Sequence, residues 1–306
     1  MYRRFLIPLA ALAFLLGACT SEPAESVEAD GTPVATAGAV DAEALDDSTR
    51  MTFDRIATVA EEQDLAARPM GEVVQAVGLQ LVGLPYVEGA LDKPEVESLV
   101  VDLGGFDCVT FVENTLAIAQ AVKAGAPTYD RYTQNLQALR YRDGELDGYC
   151  SRLHYFSDWL RDNAARGNVE LVSRNFGRPF DKTISFMSEH RDAYSKLVSN
   201  DSLYTCVEGV EANLEDHGMY YVPQSQIRGI YDQLQAGDII ATTTDIDGLD
   251  VTHTGFVFKD ATHTGFMHAS ITGEVKVSDD LADYINGNKV QTGIIVARPL
   301  AKITES

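Results

Sequence analysis

Five short runs of β-branched and aromatic residues, crowded into the C-terminal part of the sequence, set the fold class. They are Gly237 to Thr243, Val251 to Phe258, Thr264 to Ser270, Glu274 to Val277 and Gly293 to Arg298. Runs of this length, parted by turn residues, read as the strands of one antiparallel sheet. The N-terminal half has a different period. Met51 to Ala67 and Met70 to Val82 carry apolar residues at three-to-four spacing, and the second run ends at Gly83, before Leu84-Pro85-Tyr86. Helices first and a sheet last predict an α+β class, not a doubly wound fold. The section between them, from Tyr129 to about Gln224, is less periodic and reads as mixed helix and loop, with helices over Tyr155 to Ala165 and Phe186 to Leu197.

One cysteine stands where a turn enters a helix. Gly104-Gly105 breaks what precedes it, and Val112, Leu116, Ala117, Ala119 and Val122 continue a helical apolar stripe beyond Cys108. Helix N-termini carry unpaired N–H groups and the positive end of the macrodipole. Both favour thiolate, the nucleophilic form, so Cys108 is a candidate nucleophile. A small buried core cysteine would look the same in this segment alone.

The chain opens with Arg3-Arg4, an apolar stretch from Phe5 to Leu16, then Leu16-Gly17-Ala18-Cys19. This pattern describes a secretory leader over residues 1–18, with an apolar core too short to span a membrane. Its end resembles a bacterial lipobox, which implies cleavage before Cys19 and lipid on that cysteine. Several acyl chains on one residue hold a protein firmly to a bilayer. Thr20-Ser21 in place of an aspartate leans towards the outer membrane, facing the periplasm. A plain secreted protein is the alternative. Residues 19–49 lack aromatic residues and are rich in Ala, Glu, Asp, Pro and Thr, as a flexible acidic tether would be. The folded part is then expected as one domain over 50–306, large for a single core. Formal net charge is −22, which argues against nucleic-acid partners and against docking on anionic headgroups. With Cys19 assigned to lipid, an oxidising compartment permits Cys150 to pair with Cys206 and leaves Cys108 free. Two buried free thiols fit the same sequence.

His253 and His268 fall on consecutive strand runs, so a hairpin brings them close across the ladder. If that sheet packs on the start of the Cys108 helix, a thiol, a base and an orienting group converge. A neutral imidazole takes a thiol proton and returns it to a leaving amine. His263 falls in the turn and is expected to be exposed. No His-Glu-x-x-His helix or paired-cysteine spacing supports a zinc site, and no metal or other cofactor is expected.

Leu81-Val82-Gly83-Leu84-Pro85-Tyr86, Gly105-Phe106-Asp107-Cys108, Gly237-Asp238, His253-Thr254-Gly255-Phe256-Val257 and Phe266-Met267-His268-Ala269-Ser270 occur in that order. Together they resemble the NlpC-type papain-like cell-wall peptidases and amidases. The resemblance implies a papain-like fold, with the nucleophile helix packed on the C-terminal sheet and a helical and loop insertion at about 125–230. It also implies Cys108 as nucleophile, His253 as base, His268 as third polar member and Tyr86 beside the oxyanion site, where N–H groups at the helix start would stabilise the oxyanion. Two departures stand out: Val109-Thr110 follow the cysteine where the usual pattern is Asp-Cys-Ser-Gly, and the cysteine-to-histidine separation is long. These departures, with Ser151 to Trp159, Gly248 to His253 and the closing Gly293 to Pro299, resemble the N-acetylmuramoyl-L-alanine amidase-like branch. That implies metal-free cleavage of the amide between the lactyl group of N-acetylmuramic acid and L-alanine in small muropeptides. Arg152 is a candidate carboxylate clamp. Tyr155 and Trp159 are candidates for stacking on a sugar, and His154 and Asp250 are further substrate-wall candidates. The same Cys108, His253 and His268 would serve a D-γ-glutamyl-diamino acid endopeptidase, and a non-catalytic muropeptide-binding lipoprotein is the rival from another class.

Overall fold

The computed structural model describes residues 42–125, 127–214 and 218–301. The expected leader over 1–18, Cys19 with its lipid, and the tether as far as residue 41 lie outside the described residues. The first helix, α1 (Ala42–Glu62), begins ahead of the boundary expected near residue 50. Asp47 and Ser48 face solvent, while Thr49 is buried and its hydroxyl accepts the Leu103 N–H at 3.2 Å. Phe53 and Ile56 then enter the core. The acidic composition read as tether therefore runs on into the exposed side of a packed helix.

Four more helices follow before the first strand: α2 (Met70–Leu79), α3 (Cys108–Lys123), α4 (Tyr129–Arg140) and α5 (Phe156–Ala165). Short strands β1 (Val169–Leu171) and β2 (Arg178–Pro179) lead to α6 (Phe186–Glu189), α7 (Ser195–Val198) and α8 (Asp201–Asn213). The long C-terminal strands are β4 (Ile239–Thr244), β5 (Val251–Lys259), β6 (Thr264–Ala269) and β8 (Gln291–Pro299). Between them in sequence come β7 (Val275–Ser278) and α9 (Leu281–Asn286), and β3 (Tyr220–Pro223) precedes them all. The strands form one antiparallel sheet in the order β2-β3-β8-β4-β5-β6-β7, with β1 also paired to β8. The α+β class expected from the sequence is what the chain adopts.

The sheet is covered on both faces, which is why its strands read as continuous apolar runs instead of alternating ones. Ile239, Ala241, Phe256, Met267 and Ile295 enter the core shared with α1 to α4. Their neighbours Ile240, Val257, Phe266, Ile294 and Val296 enter a second core under the helical stretch Gln224–Gln233 and α9. Asp238 ties two central strands together at one end. Its two carboxylate oxygens accept from Arg298 Nε and Nη2, each at 2.8 Å, so the start of β4 is tied to the end of β8.

The insertion differs from expectation in three ways. It contributes β1, β2 and β3 to the sheet, where helix and loop alone were expected, because segments of two to four residues are too short to display a two-residue period. The helix expected over 186–197 is broken into α6 and α7, since the backbone leaves helical geometry at His190 and at Tyr194. Helix α8 was not foreseen, although Asn200 caps it through Ser202 N and Leu203 N, and Leu203, Val207 and Val210 form a short apolar stripe on the small core of this region. A small core of Tyr149, Tyr155, Ile184, Met187, Leu197, Val207 and Leu214 holds this region, together with a disulfide between Cys150 and Cys206.

Candidate active site

Cys108 is the first residue of α3, and the sequence around it builds that helix start. Asp107 is the N-cap: its Oδ1 accepts the Thr110 N–H at 2.7 Å, and the Thr110 hydroxyl accepts the Asp107 N–H at 3.0 Å. Thr110, which departs from the usual motif, thus completes a capping box. The loop after α2 lies alongside. Val87 N–H donates to Phe106 O and Phe106 N–H to Pro85 O, both at 3.0 Å. Gly105 permits this approach, because a Cβ there would lie 2.5 Å from Val87 Cγ2 and 2.9 Å from Pro85 O.

Two opposing influences act on the thiol. The N–H groups of Thr254, Cys108 and Val109 point at the sulfur and favour thiolate, as a helix start should. Burial and then the Asp107 carboxylate outweigh them and push the Cys108 thiol up to about 12. The helix start favours thiolate, as the sequence implies, and desolvation, a quantity the sequence does not display, opposes it.

The Thr254 amide reaches the sulfur because α3 packs against β5. Pairing of β5 with β6 covers Phe256 to Lys259 against Thr264 to Met267 and stops there. Beyond Phe256 the pairing ends while the strands stay close, and α3 packs against both β5 and β6. His253 precedes Thr254 on this stretch. Its Nε2 lies 2.8 Å from Nδ1 of His268 on β6, which leaves Nδ1 of His253 for proton transfer. Gly255 makes room for the pair, since a Cβ there would sit 2.5 Å from Met267 O and 2.9 Å from His268 Cβ. His268 is fully buried, and its ring lies 4.7 Å from Phe266 and 4.6 Å from Tyr284. In this apolar box burial pushes His253 down to about 4 and His268 down to about 3. Both rings are neutral at pH 7, the form a general base requires.

Cys108 and His253 line one cavity of about 260 Å³. Its far wall comes from the insertion and includes Arg152, His154 and Tyr155, with Asp250 at the β5 end. Each of these is already engaged. Arg152 Nη2 pairs with Asp92 at 2.5 Å and its Nε lies 3.3 Å from Glu97. His154 Nε2 contacts Tyr149 O at 2.9 Å, and burial pushes its imidazole down to about 3. The Tyr155 hydroxyl donates to Glu211 Oε1 at 2.6 Å and accepts the Met187 N–H at 2.8 Å. Asp250 accepts the N–H groups of Ser157 and Val251, both at 2.7 Å, and so serves the start of α5; burial raises its pKa. Trp159 is fully buried and stacks on Phe156 at 5.1 Å, which removes it from the candidates for sugar stacking. Tyr86 is half-buried beside Phe106 and is not among the lining residues, although Cys108 and Asp107 add to the burial that raises its phenol.

Two residues that the sequence did not single out also belong here. Glu113 lines the cavity beyond Cys108 on α3 and pairs with buried Arg140 at 2.7 Å. Ser278 Oγ lies 3.2 Å from Nε2 of His268. His263 is exposed in the β5–β6 turn beside Asp260. Among the described residues, no cluster of three or more His, Cys, Asp or Glu side chains is arranged to hold a metal ion.

Comparison with known proteins adds to this geometry. Residues 76–294 match the model of an AmiA-like family described as N-acetylmuramoyl-L-alanine amidase-like. A crystal structure of an N-acetylmuramoyl-L-alanine amidase from Bacteroides uniformis shares 33% identity, with a TM-score of 0.71 over 75% of this chain and 98% of that one. A structure described as a putative xylanase from Bacteroides fragilis shares 34% identity, with a TM-score of 0.65 over 73% and 99% of the two chains. A Legionella pneumophila protein at 19% identity shares the fold, with a TM-score of 0.63. No protein of curated function matches the chain in sequence.

Proposed function

The chain belongs to the AmiA-like, N-acetylmuramoyl-L-alanine amidase-like family, and on that premise we propose a metal-independent cysteine hydrolase that cleaves the amide between N-acetylmuramic acid and L-alanine in muropeptides. The observation that carries the cysteine mechanism is the placement of Cys108 and His253 on one cavity, with His253 Nε2 held 2.8 Å from His268. A nucleophile, a base and an orienting group are the parts that acyl transfer needs. The cysteine helix packed against an antiparallel sheet also supports a papain-like arrangement of the NlpC type.

In the reaction, His253 Nδ1 takes the Cys108 proton as the sulfur attacks the lactyl carbonyl. The backbone N–H groups at the start of α3 favour the negative charge that develops on oxygen. The C–N bond then breaks, the imidazolium gives its proton to the departing amine of L-alanine, and the sugar acid remains as a thioester. Water loses a proton to His253 and attacks the thioester, releasing the sugar acid and the Cys108 thiol. With burial pushing the thiol up and the imidazole down, proton transfer in this reading is coupled to attack. Lipid on Cys19, implied by the sequence of the first residues, would place this chemistry at the cell envelope, on the outer membrane facing the periplasm.

Mass spectrometry of purified muropeptides incubated with the protein tests the proposal, with Cys108→Ala as control. Free stem peptide and intact sugar acid are expected from the wild type alone, unchanged by a strong chelator. Shortened stem peptides still attached to sugar would replace the amidase reading with an endopeptidase, and activity surviving in Cys108→Ala would end the cysteine mechanism.

A further inference from the structure

Behind the two histidines the hydrogen-bonded chain continues for one more member. His253 Nε2 meets His268 Nδ1 at 2.8 Å, and His268 Nε2 meets the Ser278 hydroxyl at 3.2 Å. The three residues come from three neighbouring strands, β5, β6 and β7. They step diagonally: His268 stands opposite Lys276, and Ser278 is two residues further along β7. Sheet twist brings such diagonal neighbours within reach of long or ring side chains on one face. Phe266 and Tyr284 pack their rings on His268; Lys276 and the Ala269 backbone are its other polar neighbours, and half-buried Ser278 is the side chain that reaches its Nε2.

The direction of the protons along this chain decides whether His253 can act as a base. A neutral imidazole carries one N–H and one lone pair, and a serine hydroxyl can donate or accept. If Ser278 donates to His268 Nε2, then His268 Nδ1–H donates to His253 Nε2. The proton of His253 then sits on Nδ1, and no lone pair is left for the thiol. If Ser278 accepts from His268 Nε2–H, His268 Nδ1 becomes the acceptor, His253 Nε2 carries its proton, and Nδ1 of His253 is bare. We propose that Ser278 is a positioning residue that accepts from His268 Nε2 and thereby holds His253 in the Nε2–H tautomer, with its Nδ1 lone pair available to Cys108.

The choice between the two directions rests on the hydrolase reading, since only the second leaves His253 a base, but its test does not. Thr and Val at position 278 differ in little more than a hydroxyl against a methyl group, and both suit a strand, so they separate the oxygen from the space it fills. In the whole chain with ¹⁵N-labelled histidine, the wild type and Ser278→Thr are expected to show His253 as one tautomer protonated at Nε2. Ser278→Val should show a mixture of tautomers. With muropeptide substrate, Ser278→Val is expected to lose about tenfold in kcat, the worth of one neutral hydrogen bond, with KM nearly constant. Ser278→Thr should stay near wild type. The proposal is overturned if the Val variant keeps a single Nε2–H tautomer, or if the Thr and Val variants lose kcat equally. Should the wild type hydrolyse no muropeptide, the hydrolase reading fails, while the tautomer of His253 in the two variants still decides the role of Ser278.

Discussion

The two walls of the cavity are built by different means. The wall that carries Cys108 and His253 is made from α3 and β5, elements packed on both sides, and every residue of α3 from Thr110 to Val122 is buried. The opposite wall, with Tyr149, Arg152, His154 and Tyr155, rests on a seven-residue apolar cluster and one disulfide. The first wall fixes reacting atoms to fractions of an ångström, as catalysis demands. The second is a surface whose polar groups are already paired, so it shapes the cavity more than it offers free charges. Damage to the first wall should therefore appear in kcat, and damage to the second in stability and KM.

The largest effect is expected from Gly255→Ala. Its Cβ would meet Met267 O at 2.5 Å and His268 Cβ at 2.9 Å, and the backbone oxygen cannot swing aside. The histidine pair must shift, and a displacement of about 1 Å in a catalytic group costs on the order of a hundredfold in rate. Kinetics beside a thermal melt check this. If kcat falls by less than a factor of a few, the pair has more freedom than the packing allows.

The chemistry wall should also betray itself through thiol reactivity. With Cys108 pushed up to about 12, only a small thiolate fraction exists at neutral pH. Since thiolate alone reacts, alkylation by iodoacetamide should quicken by about tenfold per pH unit from about pH 7 to about pH 9. A rate that levels off near neutrality would mean an ion pair at rest, contrary to the neutral pair derived from burial. Stability has its own pH dependence. His253, His268 and His154 are pushed down to about 4, about 3 and about 3 by burial. The unfolded chain binds protons that the folded state refuses, so their contribution is present above about pH 6.5 and is lost as pH falls towards those values. Glu113 and Asp250, raised by burial, act in the opposite direction and soften the loss.

How much of this was visible in the sequence follows from the lengths and signals involved. The five C-terminal runs and the helix after Cys108 stand out because they are long enough to show their composition or period, and the histidine pair follows from strand adjacency. The run read as Glu274 to Val277 ended one residue before Ser278, and a serine at a strand end carries no signal of its own. Thr110 looked like a departure from a motif, while in space it completes the cap that sets Cys108 in place. Arg152, Tyr155 and Asp250 drew attention as polar or aromatic residues near the motifs. Their partners Asp92, Glu211 and Ser157 lie far away in sequence, so nothing local revealed that they were engaged.

Removing the disulfide tests the second wall. It closes a separation of 56 residues, for which loop-entropy arguments give about 4 kcal/mol and engineered cases often less. In Cys150→Ser/Cys206→Ser we expect a loss of about 2–4 kcal/mol in stability, a severalfold rise in KM and a kcat close to wild type. A fall in kcat with KM unchanged would show that the insertion positions reacting groups and would erase the distinction between the walls.

The smallest effect is expected at the rim of the same wall. The Asp92 side chain is 58% exposed while that of Arg152 is 8% exposed, so water screens one end of their 2.5 Å contact. Arg152 also keeps Glu97 at 3.3 Å and lies over the Tyr149 ring at 5.1 Å, so its guanidinium stays in place when Asp92 is neutralised. Asp92→Asn should therefore cost no more than about 1 kcal/mol in stability. Its informative readout is KM: a guanidinium released from one carboxylate has a donor to offer the substrate, so KM for a substrate bearing a free carboxylate should fall by a factor of about two to five, as one partly screened charge pair is worth. An unchanged KM across carboxylate-bearing and amidated substrates would mean that Arg152 only braces the wall, and that recognition on this side is by shape.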